Sequence, residues 1–134
     1  MRTNTGIKSG IARDIMKDLK EGDILYSAVY DNSTKVTSTE MFYFKEYVKQ
    51  PGNSKGVWAK YVEIISYEDD EPVFATKPHK NEDGTITEEP DWRVNDISIG
   101  VFLDPLSALK AWEKVAQTIY ESAKKAVELE ENKR

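Results

Sequence analysis

The sequence predicts an α+β domain: a small, strongly bent antiparallel sheet or partly open barrel, preceded by a short helix and followed by a long C-terminal helix packed on it. Three observations lead there. Residues 24–103 contain short apolar stretches that alternate with a period of two and are separated by turn formers. From Pro105 to about Glu130 a single apolar pattern of helical period takes over. The strands come as a run followed by helix instead of alternating with helices, which argues for antiparallel pairing and against βαβ units. With 134 residues the chain is one domain, 1–134, divided into a helix over 9–20, antiparallel strands over 24–103 and a helix over 105–130.

The elements follow in order. Ser9 suits an N-cap, and Ile11, Ile15 and Leu19 line one helical face before Glu21-Gly22-Asp23 ends it in turn chemistry. Leu19 to Ile24 resembles the approach to the first strand of many small barrels, a likeness of fold alone. Ile24 to Tyr30 alternates as a strand, with Ile24, Tyr26, Ala28 and Tyr30 on one face. Asp31 to Thr39 is expected as a polar loop. Met41 to Lys49 is the strongest strand, placing Phe42, Phe44 and Val48 on one face and Tyr43, Lys45, Tyr47 and Lys49 on the other. After a loop over 50–56 dense in turn formers, Val57 to Ser66 is its antiparallel partner. Glu68 to Pro72 breaks the pattern, Val73 to Thr76 is a short strand, 78–90 is a polar excursion tipped by Asp83-Gly84, and Trp92 to Leu103 closes the sheet.

Asp104 then caps the long helix and Pro105 takes its first position. Leu106, Leu109, Trp112, Ala116, Ile119, Ala123 and Val127 draw its apolar stripe. Trp112, Leu109 and Ile119 are expected against the sheet face bearing Phe42 and Phe44. At about 1.5 Å per residue such a helix is near 40 Å long, more than a domain of this size spans. Its stripe stays apolar through Ala126 and Val127, so pairing with a second copy, a homo-oligomer, is expected.

Composition narrows the function. Apolar residues make up 39% and charged residues 32%, as in globular proteins with solvated surfaces. The absence of cysteine excludes disulfides, thiolate metal sites and cysteine nucleophiles. No apolar run approaches the roughly 20 residues of a membrane helix and no secretory signal stands at Met1, so a cytoplasmic protein with no membrane partner is expected. The net charge of −5 is unevenly spread: residues 1–62 balance at +3, 63–91 at −8, and 92–134 at zero. Such segregation bears on the choice of partner.

No catalytic motif stands out. There is no Gly-x-Ser-x-Gly, Gly-x-Gly-x-x-Gly, P-loop or His-Glu-x-x-His pattern, and the single histidine, His79, lies in a polar stretch. Within the segment His79 to Pro90, Asp83-Gly84-Thr85-Ile86 matches the middle of a calcium loop, with Asn81 at the third ligand position. In that register His79 and Pro90 occupy the first and twelfth ligand positions, where carboxylates are required, so a hairpin tip is expected. No enzyme activity, cofactor or metal is therefore expected. Two candidate surfaces remain. Glu68, Asp69, Asp70 and Glu71 form an acidic docking segment. Tyr43, Lys45, Tyr47 and Lys49, extended by Trp58 and Lys60, interleave rings with ammonium groups, as a single-stranded nucleic acid platform does.

The run Val101-Phe102-Leu103-Asp104-Pro105-Leu106-Ser107-Ala108-Leu109, a strand ending in Phe-Leu before a capped helix, resembles the small, cysteine-free accessory proteins of tailed bacteriophages. The resemblance implies a protein that binds and blocks something, in the host cytoplasm if phage-encoded. The expected function is a non-enzymatic binding module, an accessory or inhibitor protein that binds a host protein or sequesters a small ligand. The alternative is a single-stranded nucleic-acid-binding protein.

Overall fold

A computed structural model describes residues 2–4, 16–52 and 55–133. Of the helix expected over 9–20, residues 9–15 lie outside the described residues; Met16 is helical, Lys17 and Asp18 form a turn, and Leu19 and Lys20 are irregular. The described elements are β1 (Arg2–Asn4), β2 (Ile24–Asp31), β3 (Val36–Tyr47), β4 (Trp58–Glu68), β5 (Glu71–Phe74), β6 (Thr76–Lys80), β7 (Ile86–Pro90), β8 (Arg93–Asp96) and α1 (Pro105–Glu131). The class is α+β, with every strand pairing antiparallel.

The main sheet runs β1-β2-β3-β4-β5, and β8 also pairs with β4. Among the described residues it does not close into a barrel. After β5 the chain leaves it to form the separate β6–β7 hairpin, and β1 and β5 remain as its ends. Beside β3, β4 carries β8 along Trp58–Tyr61 and β5 along Ile64–Glu68.

Two turns are tighter than the sequence suggested. The loop expected over 31–39 shrinks to the residues between Asp31 and Val36, because Val36, Thr37, Ser38 and Thr39 pair with Asp31, Tyr30, Val29 and Ala28. Three of these four are or resemble β-branched residues, which suit a pleated surface. The Asp31 carboxylate accepts from the Ser33 N–H at 2.8 Å, and Lys35 takes a left-handed φ of 62°. The acidic run is not a loose break either. Asp69 and Asp70, at φ 50° and 65°, make the whole connection between β4 and β5. Both central residues at positive φ are what a two-residue hairpin of matching twist needs.

The two faces of the sheet are covered differently. Leu25, Phe42, Phe44, Ala59 and Tyr61 point to one side, where Met16, Val57, Ile97 and Val101 complete the main core and Leu19 and Leu103 flank it. Tyr26, Ala28 and Tyr30 point to the other, and it is there that α1 lies. Ala28, Phe102 and Ala108 form a second core, with Tyr26, Ala111 and Trp112 packed around it. The Trp112 ring stacks on Tyr30 at 5.8 Å and its indole N–H donates to Thr37 Oγ1 at 3.1 Å. This corrects the expected partner of Trp112. Phe42 and Phe44 share a strand with Thr37 and Met41 but differ from them in parity, so they face away from the helix. Leu109 and Ile119 are not under the sheet either: they are 37% and 59% exposed.

Backbone geometry fixes where the helix begins. Phe102 exchanges two 2.8 Å hydrogen bonds with Tyr26, clipping the chain to the edge of β2 two residues before the cap. The Asp104 carboxylate then accepts from the Ser107 N–H and hydroxyl, each at 2.8 Å. These bonds, the backbone one first, hold the Asp104 carboxyl below its ordinary value. A depressed folded pKa means the cap's contribution is complete above the ordinary carboxyl range, about pH 4, and fades as pH falls through the lower folded value. Asp104→Asn keeps a capping oxygen without the titration. Thermal unfolding followed from neutral to acid pH is expected to show a shallower acid limb for this variant than for the parent.

Candidate binding surfaces

The six residues of the expected aromatic and basic face are divided by a β-bulge. Phe44 pairs with Tyr61 and Glu46 with Lys60, so Lys45 is the extra residue and the strand changes parity after it. Tyr47 thereby turns to the Phe44 side, where the two rings meet edge-on at 4.8 Å. Its hydroxyl donates to the Met16 carbonyl and accepts from the Leu19 N–H at 2.8 Å, tying the segment from Met16 to Leu19 to the end of β3. Burial pushes its phenol above the usual value. Lys49 lies exposed beyond the end of β3. Trp58 is half-buried, and among the described residues its indole N–H finds no acceptor.

Tyr43, Lys45 and Lys60 converge on a surface that the sequence did not delineate. The Tyr43 ring lies 5.0 Å from Phe74 and 6.4 Å from Trp92, and Phe74 and Trp92 are 5.8 Å apart. The Lys60 ammonium sits over the Trp92 ring at 5.4 Å, a cation–π arrangement. Lys45 reaches Glu21 at 3.1 Å, and the Tyr43 hydroxyl donates to the same carboxylate at 3.4 Å. Partial burial and then Glu21 raise the Tyr43 phenol. Sequence reasoning missed Phe74 and Trp92. They join Tyr43 only through the register that sets Met41 opposite Ile64 and Ile64 opposite Phe74, and periodicity within one strand does not reveal register.

The acidic segment is an exposed hairpin tip, with Glu68 directly opposite Glu71 and Asp69-Asp70 at its apex. The calcium-like segment is the β6–β7 hairpin. Gly84 takes a φ of 88° at its tip, and the Asp83 carboxylate accepts from the Thr85 N–H at 3.0 Å and its hydroxyl at 2.6 Å. His79 lies 3.7 Å from Glu89 on the facing strand, both half-exposed.

On the main-core side of the sheet a polar cavity of about 190 Å³ is lined by Ser27, Tyr61, Arg93, Asn95 and Asp96, with Phe42 and Val101 among its apolar walls. Burial raises the Tyr61 phenol, partly offset by a hydrogen bond with Asn95 and the charge of Arg93. The Arg93 guanidinium lies over the Phe42 ring at 5.9 Å and 3.6 Å from Glu63. Asp96 Oδ1 accepts from the Val57 N–H at 3.1 Å and from the Ser98 N–H and hydroxyl at 2.9 and 2.6 Å. That carboxylate anchors a loop.

The largest departure from ordinary burial is α1. Only Ala108 on it is fully buried, with Ser107, Ala111, Trp112, Val115 and Ala116 half-buried; every residue from Gln117 to Lys133 is exposed. Among these Ile119 is 59%, Tyr120 66% and Val127 57% exposed. A groove of about 490 Å³ opens where the helix passes the end of the β2–β3 hairpin, lined by Tyr30, Asn32, Thr37, Trp112, Ala116 and Ile119. Among the described residues no helix is long and apolar enough to cross a membrane. No family model matches this chain, and no curated protein or solved structure is significantly similar to it.

Proposed function

We propose that this chain is a non-enzymatic binding module that docks on a protein partner through the outer apolar face of α1, in the manner of a small phage accessory or inhibitor protein. The observation that carries the reading is the row of exposed apolar side chains on one helix, Leu109, Ile119, Tyr120 and Val127. Large contiguous apolar patches are rare on monomers and mark interaction sites. Amphipathic helices use such spacing to seat in a partner's groove. The acidic hairpin tip adds charge that would steer a basic partner.

The alternative, a single-stranded nucleic acid platform, has less to stand on. Of its rings Tyr47 is turned to the main-core side of the sheet and its hydroxyl is tied to Met16 and Leu19, and of its cations Lys45 is matched to Glu21 while Lys60 covers Trp92. Mobility-shift titrations with short DNA and RNA strands are expected to show no complex tighter than about millimolar at physiological salt.

The docking reading is tested by site-specific photocross-linking in native host cells. A photoreactive residue at Tyr120 is expected to give discrete protein adducts that disappear with Ile119→Glu, while one at Lys77 on the β6–β7 hairpin gives none. Equal labelling from both positions would show that the helix face is not the contact.

A further inference from the structure

We infer that the occupant of the α1 face is a second copy of this chain, packed antiparallel about a two-fold axis passing between Ile119 and Tyr120. The inference rests on the docking reading above and names its partner. At about 100° per residue, the sheet-facing residues Ala108, Ala111 and Trp112 and the stripe Leu109, Ala116, Ile119, Tyr120, Ala123 and Val127 are centred about 90° apart. The domain's own sheet therefore leaves the stripe uncovered, in agreement with the exposure of Leu109, Ile119, Tyr120 and Val127.

The stripe is complementary to itself only when reversed. Antiparallel about that axis, Ile119 meets the partner's Tyr120, Ala116 meets the partner's Ala123 and Trp112 meets the partner's Val127. Each layer is apolar, and two of the three match a larger ring to a smaller side chain. A parallel pair would set Trp112, Ile119 and Tyr120 each against itself and bring the two sheets side by side. The reversed arrangement keeps the sheets at opposite ends. It also carries the free end of each helix past the other's β2–β3 hairpin, so the partner's Val127 approaches the groove between Tyr30, Trp112 and Ala116. The shallow depression around Tyr120, Ala123 and Val127 is the other half of the same contact. A projecting helical end and an open groove on one molecule form an isologous pair, each used twice.

The contact is modest. Four helical turns and the groove together bury on the order of 1,000 Å², the low end for a specific interface. A reversible monomer–dimer equilibrium is expected.

Sedimentation velocity of the full chain, from low micromolar to several hundred micromolar, is expected to show concentration-dependent dimerisation. Ile119→Lys and Tyr120→Glu, both at exposed positions, should each weaken it by at least about tenfold while leaving the circular dichroism unchanged, since a charge is forced into an apolar contact. Mixed together, the two variants should dimerise again, because position 119 of one copy faces position 120 of the other. Weakening by both variants without rescue on mixing would overturn the antiparallel register. A parent that stays monomeric throughout would overturn the second copy as occupant. If the Tyr120 cross-links to another protein persist in that case, the docking reading survives; if they are absent as well, both fall.

Discussion

Gly56→Ala is expected to destabilise the protein by about 3–5 kcal/mol, more than the same change at Gly22, Gly52 or Gly84. Gly56 has a φ of 111°, which an L side chain rarely adopts, and a Cβ built there falls 2.2 Å from Asp96 Oδ2 and 2.6 Å from its Cγ. The clash is with a committed group. The same carboxylate holds the Val57 N–H at the start of β4 and the Ser98 N–H and hydroxyl after β8. Moving Asp96 unfastens both, together with Ile97, whose N–H bonds the Val57 carbonyl at 2.8 Å. The cost combines backbone strain with the loss of charge-assisted hydrogen bonds. Urea unfolding measures it, and Gly52→Ala supplies the control. Gly52 also has a positive φ, 53°, but nothing lies within 4 Å of its added Cβ, so only the left-handed penalty of about 1–2 kcal/mol applies. Equal effects at the two sites would remove the Asp96 clamp from the account.

Trp112→Ala is expected to lower stability by about 2–4 kcal/mol, toward the low side for a large aromatic because the ring is only half-buried. Removing it abandons the Tyr30 stack, the bond to Thr37 and the cover over Ala28. Leu109→Ala, three residues earlier on the exposed stripe, should fall within about 0.5 kcal/mol in the monomer. The contrast separates a helix seated on β2 from one seated on the Phe42 and Phe44 face. In the latter arrangement Leu109 would be covered, and its truncation would cost several times more.

The sequence made the helix legible almost to the residue, because Asp104 and Pro105 state its start chemically and the apolar spacing sustains it. The strands over 24–31, 41–47 and 58–66 were legible for a similar reason. What escaped depends on pairing. Nothing in Lys45 announces a bulge, yet one extra residue there moved Tyr47 from the expected binding face to the opposite side of the sheet, beside Phe44. Asp69-Asp70 looked like a solvated break, since aspartate at two consecutive positive φ angles is an uncommon hairpin turn beside Asn-Gly. The face that receives Trp112 was misjudged although both candidate faces were correctly separated. Phe42 and Phe44 are the more hydrophobic pair, but Met16, Ile97 and Val101 already cover them.

The Phe102 clip also bears on the order of assembly. The β2–β3 hairpin and the β3–β4 pair are made from residues near in sequence, so they are expected to form early both in refolding and during synthesis. Among the described residues, β2 at Tyr26 gains its second hydrogen-bonded neighbour from residue 102, and Ala28 gains its cover from Phe102 and the helix that follows. Until that last part of the chain has emerged, a nascent molecule carries an open strand edge beside an uncovered apolar face, the combination that invites pairing with another chain. Truncation before Asp104 is thus expected to yield an aggregating product, and slowing translation across the final third should lengthen the window in which chaperones are needed.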